Sequence, residues 1–223
     1  MSSIPAGTPT SDPTAIPRRT IDVSHLPEEA FGERSPVWWG NTLMLLIESS
    51  TMAILFVSYF YLRMNFQEWP PPKVDVIPPI QHPVPDLGVS TLNVLLILLS
   101  VPVMIWTHRA ALRMDKRKIL LGVGVMLAGS VIVSALRCAE FRATKFWWND
   151  NAYASTVWTT LGLAVTYQLA ALGEFVIMLA WLLLHPLDEK HAIDVTLAGG
   201  FWYWVAGTGA VLYVVLFWGP RIL

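Results

Sequence analysis

The pattern of apolar and polar positions divides the chain into five long apolar runs, at about 41–62, 90–107, 119–137, 155–184 and 197–219, separated by short polar connections. A span across a bilayer needs about 20 predominantly apolar residues. In lipid every backbone N–H and C=O must be satisfied within the segment, so each run is predicted to be a helix. The fold class is therefore all-α, a polytopic membrane helix bundle of five transmembrane helices over residues 36–223. The fourth run is the longest and is expected to tilt or to extend past the lipid on one side.

Residues 1–35 break this pattern. They are rich in Pro, Ser and Thr and contain no apolar stretch long enough for a signal-peptide core. Asp12, Asp22, Glu28 and Glu29 count against a mitochondrial transit peptide, which would be poor in acids. The expectation is a flexible, water-exposed N-terminal arm in the cytoplasm.

Orientation follows from the connections. The segment THRAALRMDKRK carries Arg109, Arg113, Lys116, Arg117 and Lys118, the densest basic cluster in the chain. Positive residues beside spans stay on the cytoplasmic side, which predicts a cytoplasmic N-terminus and an external C-terminus. Trp38 and Trp39 before the first span, and Trp147 and Trp148 before the fourth, are suited to the headgroup level and are expected to make interfacial lipid contacts. The connection NFQEWPPPKVDVIPPIQHPVPD is proline-loaded and predicted to be stiff.

Composition agrees and excludes some functions. The chain is 54% hydrophobic and 14% charged with a net charge of −1, against about 25% charged in soluble domains. Near-neutral charge offers no basic face for phosphates, so nucleic acid is not an expected partner. A single cysteine, Cys138, excludes an internal disulfide and any multi-cysteine metal cluster.

Two acids interrupt the apolar runs. Glu48 lies seven residues inside the first span, roughly 10 Å below its start, and Ser49, Ser50 and Thr51 follow it. Glu174 lies in LAALGEFVIMLAWLLL, with Gln168 and Tyr167 six and seven residues before it. Ionisable groups at such depth are costly and mark candidate sites. Two readings stay open for each acid. One is proton handling or the anchoring of a polar lipid head. The other is a neutral carboxyl satisfied by hydrogen bonds to a neighbouring helix.

Histidine placement argues against redox chemistry in this polypeptide. His25, His82, His108, His185 and His191 all fall in connections or at span edges, whereas haem or copper inside a bundle needs ligands within the spans. No metal-ligand spacing, phosphate loop or nucleophile–base pair appears. No catalytic residue, metal site or cofactor is expected in the chain. The stretch GVGVMLAG (122–129), within an apolar span, is predicted to be a close-packing face, as are Gly207, Gly209 and Ala210.

The order of motifs resembles a known family. PVWWGNTLMLLIESSTMAILFVSYFYLR is similar to the third helix of cytochrome c oxidase subunit III, with the family acid at Glu48. HPVPDLGVSTLNVLLILLSVPVMIWTHRAALR is similar to the fourth helix. ALRCAEF resembles a Gln-x-x-Glu-aromatic end of the fifth and places an acid at Glu140. NAYASTVWTTLGLAVTYQLAALG and GGFWYWVAGTGAVLYVVLFWG resemble the sixth helix and the last. The likeness covers residues 36–223 and corresponds to helices three to seven of the usual seven. Against the family pattern, the paired histidines of helix six fall on Ala164 and Tyr167, and the His and Asp of the final signature fall on Tyr203 and Ala206.

The resemblance implies a non-catalytic subunit III of a bacterial aa3/caa3-type oxidase, in the inner membrane, that supports proton uptake and binds phospholipid. It implies subunit I as the main contact, with subunit II and further respiratory subunits nearby, and haem and copper in those partners. Glu48 becomes a proton-uptake support or lipid-cleft acid, with Glu140, Tyr167, Glu174 and Tyr203 as further buried polar candidates. An accessory subunit of a nitric oxide reductase would share the fold. A small transporter or channel would call for an internal repeat or a Gly/Pro-broken pair of spans. The sequence shows neither, and Pro102 alone would give a kink at most.

Overall fold

The structure is a computed structural model that describes residues 35–74, 76–80 and 83–222, the side chains of Glu189 and Lys190 excepted. The predicted N-terminal arm, and His25 and His82, lie outside the described residues. Among the described residues, five helices are long and apolar enough to cross a membrane. They are α1 (Pro36–Asn65), α2 (Leu87–Leu112), α3 (Lys116–Ala143), α4 (Ala152–Leu184) and α5 (Glu189–Leu212). The last continues through a π-helical stretch, Tyr213–Trp218, into a final turn, Gly219–Ile222. Among the described residues the only β-pairing is an isolated bridge between Lys73 and Ile80.

Each helix outruns the apolar run that predicted it, because hydropathy marks the lipid-embedded part while caps set the ends. Ser35 Oγ accepts from the Val37 N–H at 3.3 Å, and Pro36 opens α1 with its φ already helical. Asn151 Oδ1 accepts from the Ala154 N–H at 2.8 Å, and Asp188 Oδ1 from the His191 N–H at 2.9 Å. The basic segment read as a connection is mostly helical. Arg109 lies in α2 and Lys116–Lys118 form the first turn of α3, leaving Arg113, Met114 and Asp115 to turn the chain. Met114 takes a φ of 53° there, and Asp115 caps α3.

The core forms where α2, α3, α4 and α5 meet, around Met104, Val123, Met126, Leu161, Phe175 and Trp202. Gly122 permits the α2–α3 approach, since a Cβ there would lie 2.1 Å from Thr107 Oγ1. Gly124 and Gly129 face open space, so the close-packing face predicted for 122–129 comes down to Gly122. α1 is peripheral. It rests on α4 and α5, and 11% of its span is buried against 44% for α5.

At the proline-rich end the connection after α1 is packed rather than free. Trp69 sits edge-on to Tyr59 and Tyr153, at 5.1 and 4.7 Å between ring centroids. Lys73 Nζ meets Asp150 Oδ2 at 2.7 Å, both nearly buried, tying this loop to the α3–α4 connection.

Candidate functional site

The polar residues within the bundle fall into two groups, and helix periodicity explains the first. Asn41 and Glu48 are seven residues apart on α1, as are Tyr167 and Glu174 on α4, so each pair shares one face two turns apart. α1 and α4 run antiparallel, which sets Glu48 against Tyr167 and Asn41 near Glu174. The Tyr167 hydroxyl donates to Glu48 Oε2. Beside it, Trp204 Nε1 on α5 donates to Ser49 Oγ at 2.7 Å, and the Tyr167 and Trp204 rings meet edge-on at 4.8 Å. Glu48 is half-buried on the least enclosed helix and reaches inward from the lipid side.

Towards the basic end the same seam opens into a cavity of about 670 Å³ between α1, α4 and α5. Asn41, Glu174, His191 and Asp194 supply its polar lining, and Ile177, Met178 and Leu197 part of its apolar wall. Glu174 Oε2 is buried there without a hydrogen-bond partner. Asn41 lies three residues past Trp38, about 5 Å along the helix, which puts the cavity near the end of the bundle that Trp38 and Trp39 mark. Trp181 closes one side, its ring stacked on His191 at 3.6 Å. The backbone N–H of His191 and then its ring hold the Asp188 carboxyl, outside the span, below the usual carboxylate range.

The second group is buried between α2 and α3. Arg137 Nη1 donates to Glu140 Oε2 at 2.7 Å, with both side chains almost fully enclosed. Asn93 Nδ2 of α2 donates to the other carboxylate oxygen at 2.7 Å. An ion pair buried this deeply needs its remaining atoms satisfied by hydrogen bonds, and Asn93 supplies one.

The structure thus brings Glu48 and Tyr167 together, sets Glu174 two turns away on the same seam, and places Glu140 in a separate cluster. Tyr203 joins neither. It lines a groove of about 520 Å³ between α2 and α5 with His108 and Arg109. Trp39 is well exposed at the start of α1 and meets Trp38 edge-on. Trp147 and Trp148, 62% and 61% exposed, lie at the opposite end.

Sequence reasoning missed Arg137, Asn93, Ser49 and Trp204 as site residues. The spacing of Arg137 and Glu140, three apart at the end of an apolar helix, is the signal that could have found the first. Asn93 carries no such signal, because only the α2–α3 register puts it opposite Glu140. Among the described residues no group of three or more His, Cys, Asp or Glu is arranged to hold a metal ion. His108, His185 and His191 all lie at the basic end.

Five apolar helices with carboxyl groups turned into their seams define a polytopic helical membrane protein. The sequence profile of cytochrome c oxidase subunit III matches residues 28–220, and the chain belongs to that family. It is similar to cytochrome c oxidase subunit 3 of Prototheca wickerhamii, 23% identical over 187 residues, covering 81% of this chain and 69% of the relative. The subunit 3 of Lumbricus terrestris is 24% identical over 188 residues, with the same coverage. That of Tachyglossus aculeatus aculeatus is 21% identical over 150 residues, 67% of this chain and 55% of the relative. The chain therefore spans between about half and about two thirds of the length of these relatives.

Proposed function

We propose that this chain is the non-catalytic subunit III of a bacterial aa3/caa3-type cytochrome c oxidase, seated in the inner membrane with its basic end in the cytoplasm. In this reading it packs beside subunit I, with subunit II and further respiratory subunits close by. Haem and copper in those partners reduce oxygen, and this chain contributes no ligand to them. The observation that carries the reading is the family match across nearly the whole chain, with Glu48 falling where the family motif has its acid.

The orientation is supported by how charges are disposed. Arg109, Arg113, Lys116, Arg117 and Lys118 cluster at one end, in and beside the short turn between α2 and α3. Lys and Arg dense in a short connection beside spans belong on the cytoplasmic side.

The cavity beneath Trp38 is the lipid site of this reading. Its apolar wall accommodates acyl chains, and Asn41 and Glu174 supply the polar lining for a headgroup or glycerol hydroxyl. Glu48, two turns deeper and held by Tyr167, supports proton uptake by keeping a polar foothold on the face turned towards that lipid.

Purification through a tag on this chain tests the assignment. The expected result is co-purification of a large many-helix polypeptide carrying haem and copper, with phospholipid retained. A preparation without haem and copper overturns it. One with haem and non-haem iron but no copper points instead to a nitric oxide reductase.

A further inference from the structure

Between the two polar clusters lies a small internal cavity bounded by α1, α3, α4 and α5, with Arg137, Gln168, Val205 and Thr208 in its wall. It leaves about 10 Å³ for a water-sized sphere, room for one molecule at most. Two residues of its wall each carry a buried atom without a partner, Arg137 Nε and Gln168 Oε1, and the residues are 2% and 1% exposed. One is a donor and the other an acceptor. Thr208 Oγ1 donates to its own helix, to the Trp204 carbonyl at 2.8 Å, which leaves its lone pairs free to accept.

We propose that this cavity is a binding site for one ordered water. The water accepts from Arg137 Nε–H and donates to Gln168 Oε1 and Thr208 Oγ1. Three bonds is the usual complement of a buried water. A dry cavity would leave a guanidinium N–H and an amide oxygen unsatisfied in a low-dielectric interior, and empty cavities in proteins are apolar.

The water joins clusters that otherwise do not meet. Asn93 of α2 and Arg137 and Glu140 of α3 are linked through it to Gln168 of α4 and Thr208 of α5. Four of the five helices, α2 to α5, then contribute to one buried polar network. This inference stands on the chain's own interior and does not depend on which partners surround it.

The test is a density map of the intact complex, at a resolution that shows ordered waters, together with the near-isosteric variant Gln168→Met. The expected map has one water within hydrogen-bond distance of Arg137 Nε, Gln168 Oε1 and Thr208 Oγ1, lost in the variant, whose melting temperature falls by about 2–4 °C. An empty cavity, or a direct Arg137–Gln168 contact closing it, overturns the proposal. So does an unchanged or raised melting temperature, because removing an amide oxygen that has no partner is neutral or stabilising. If the variant does not assemble, the wild-type map alone decides.

Discussion

The hydroxyl of Tyr167 on α4 donates to the carboxyl of Glu48 on α1, and with the Trp204–Ser49 hydrogen bond beside it this pins the most peripheral helix to the bundle. Removing the donor and replacing the acid are expected to differ. Tyr167→Phe leaves the Glu48 carboxyl in an apolar seam without its partner and should cost about 1–2 kcal/mol, read as a lowered melting temperature of the solubilised complex. Glu48→Gln keeps an acceptor for Tyr167 and should leave the complex assembled with its haem and copper spectra unchanged. Loss of the haem signals from an otherwise intact Glu48→Gln complex would contradict a supporting role for this chain.

Arg137 and Glu140 form an enclosed ion pair, so single changes are expected to be severe. Arg137→Ala strands Glu140 with Asn93 alone and should cost about 3–5 kcal/mol, visible as lost incorporation into the complex. Arg137→Gln, which places the residue of the family motif at this position, should be much milder because its amide can still donate to Glu140. Equal damage from both would show that the charge itself, not the hydrogen bond, is required.

The α2–α3 contact depends on one glycine. Gly122→Ala sets a methyl group against Thr107 and should destabilise by about 1–3 kcal/mol. Gly124→Ala, two residues on and facing open space, should change little. Thermal unfolding of the two variants side by side distinguishes a real close approach from a general intolerance of the helix to alanine.

The loop tie at the proline-rich end is also testable. Lys73→Met leaves Asp150 with only the Trp147 N–H, at 2.8 Å, and should expose the α1–α2 connection to protease at that end. Protection equal to wild type would mean that the Tyr59, Trp69 and Tyr153 rings hold the loop without the ion pair.

A carboxyl held low in the folded state stabilises it above the unfolded value and loses that contribution as pH falls through the folded one. Asp188 is such a group, held by the His191 backbone N–H first and the ring second. The α5 cap should therefore persist at neutral pH and weaken only below about pH 4. Asp188→Asn should flatten the acid limb of a plot of melting temperature against pH. An acid limb identical in variant and wild type would exclude the cap as its cause.

The bundle was largely legible in the sequence, because five apolar runs of sufficient length leave the backbone one solution in lipid. The ends of the helices were not, since Ser35, Asn151 and Asp188 act through local hydrogen bonds that hydropathy does not register. Glu48 and Glu174 announced themselves as charges out of place. Tyr167 was named by its polarity alone; that it meets Glu48, and that Asn41 comes near Glu174, follows only once α1 and α4 are set antiparallel in register. Arg137 was visible but lay at the last position of its predicted span, where a cation is unremarkable. The longer helix brings it inside.

The shallow seating of α1 carries a consequence for biogenesis. As the nascent polypeptide emerges, Glu48 enters the bilayer with its eventual hydroxyl donor still 119 residues from synthesis. Until the fourth segment is delivered, the translocon or surrounding lipid must shelter that carboxyl, so α1 settles after the helices that follow it. Ribosome-arrested chains halted before Tyr167 should keep Glu48 open to a carboxyl-directed reagent, and chains released beyond it should not.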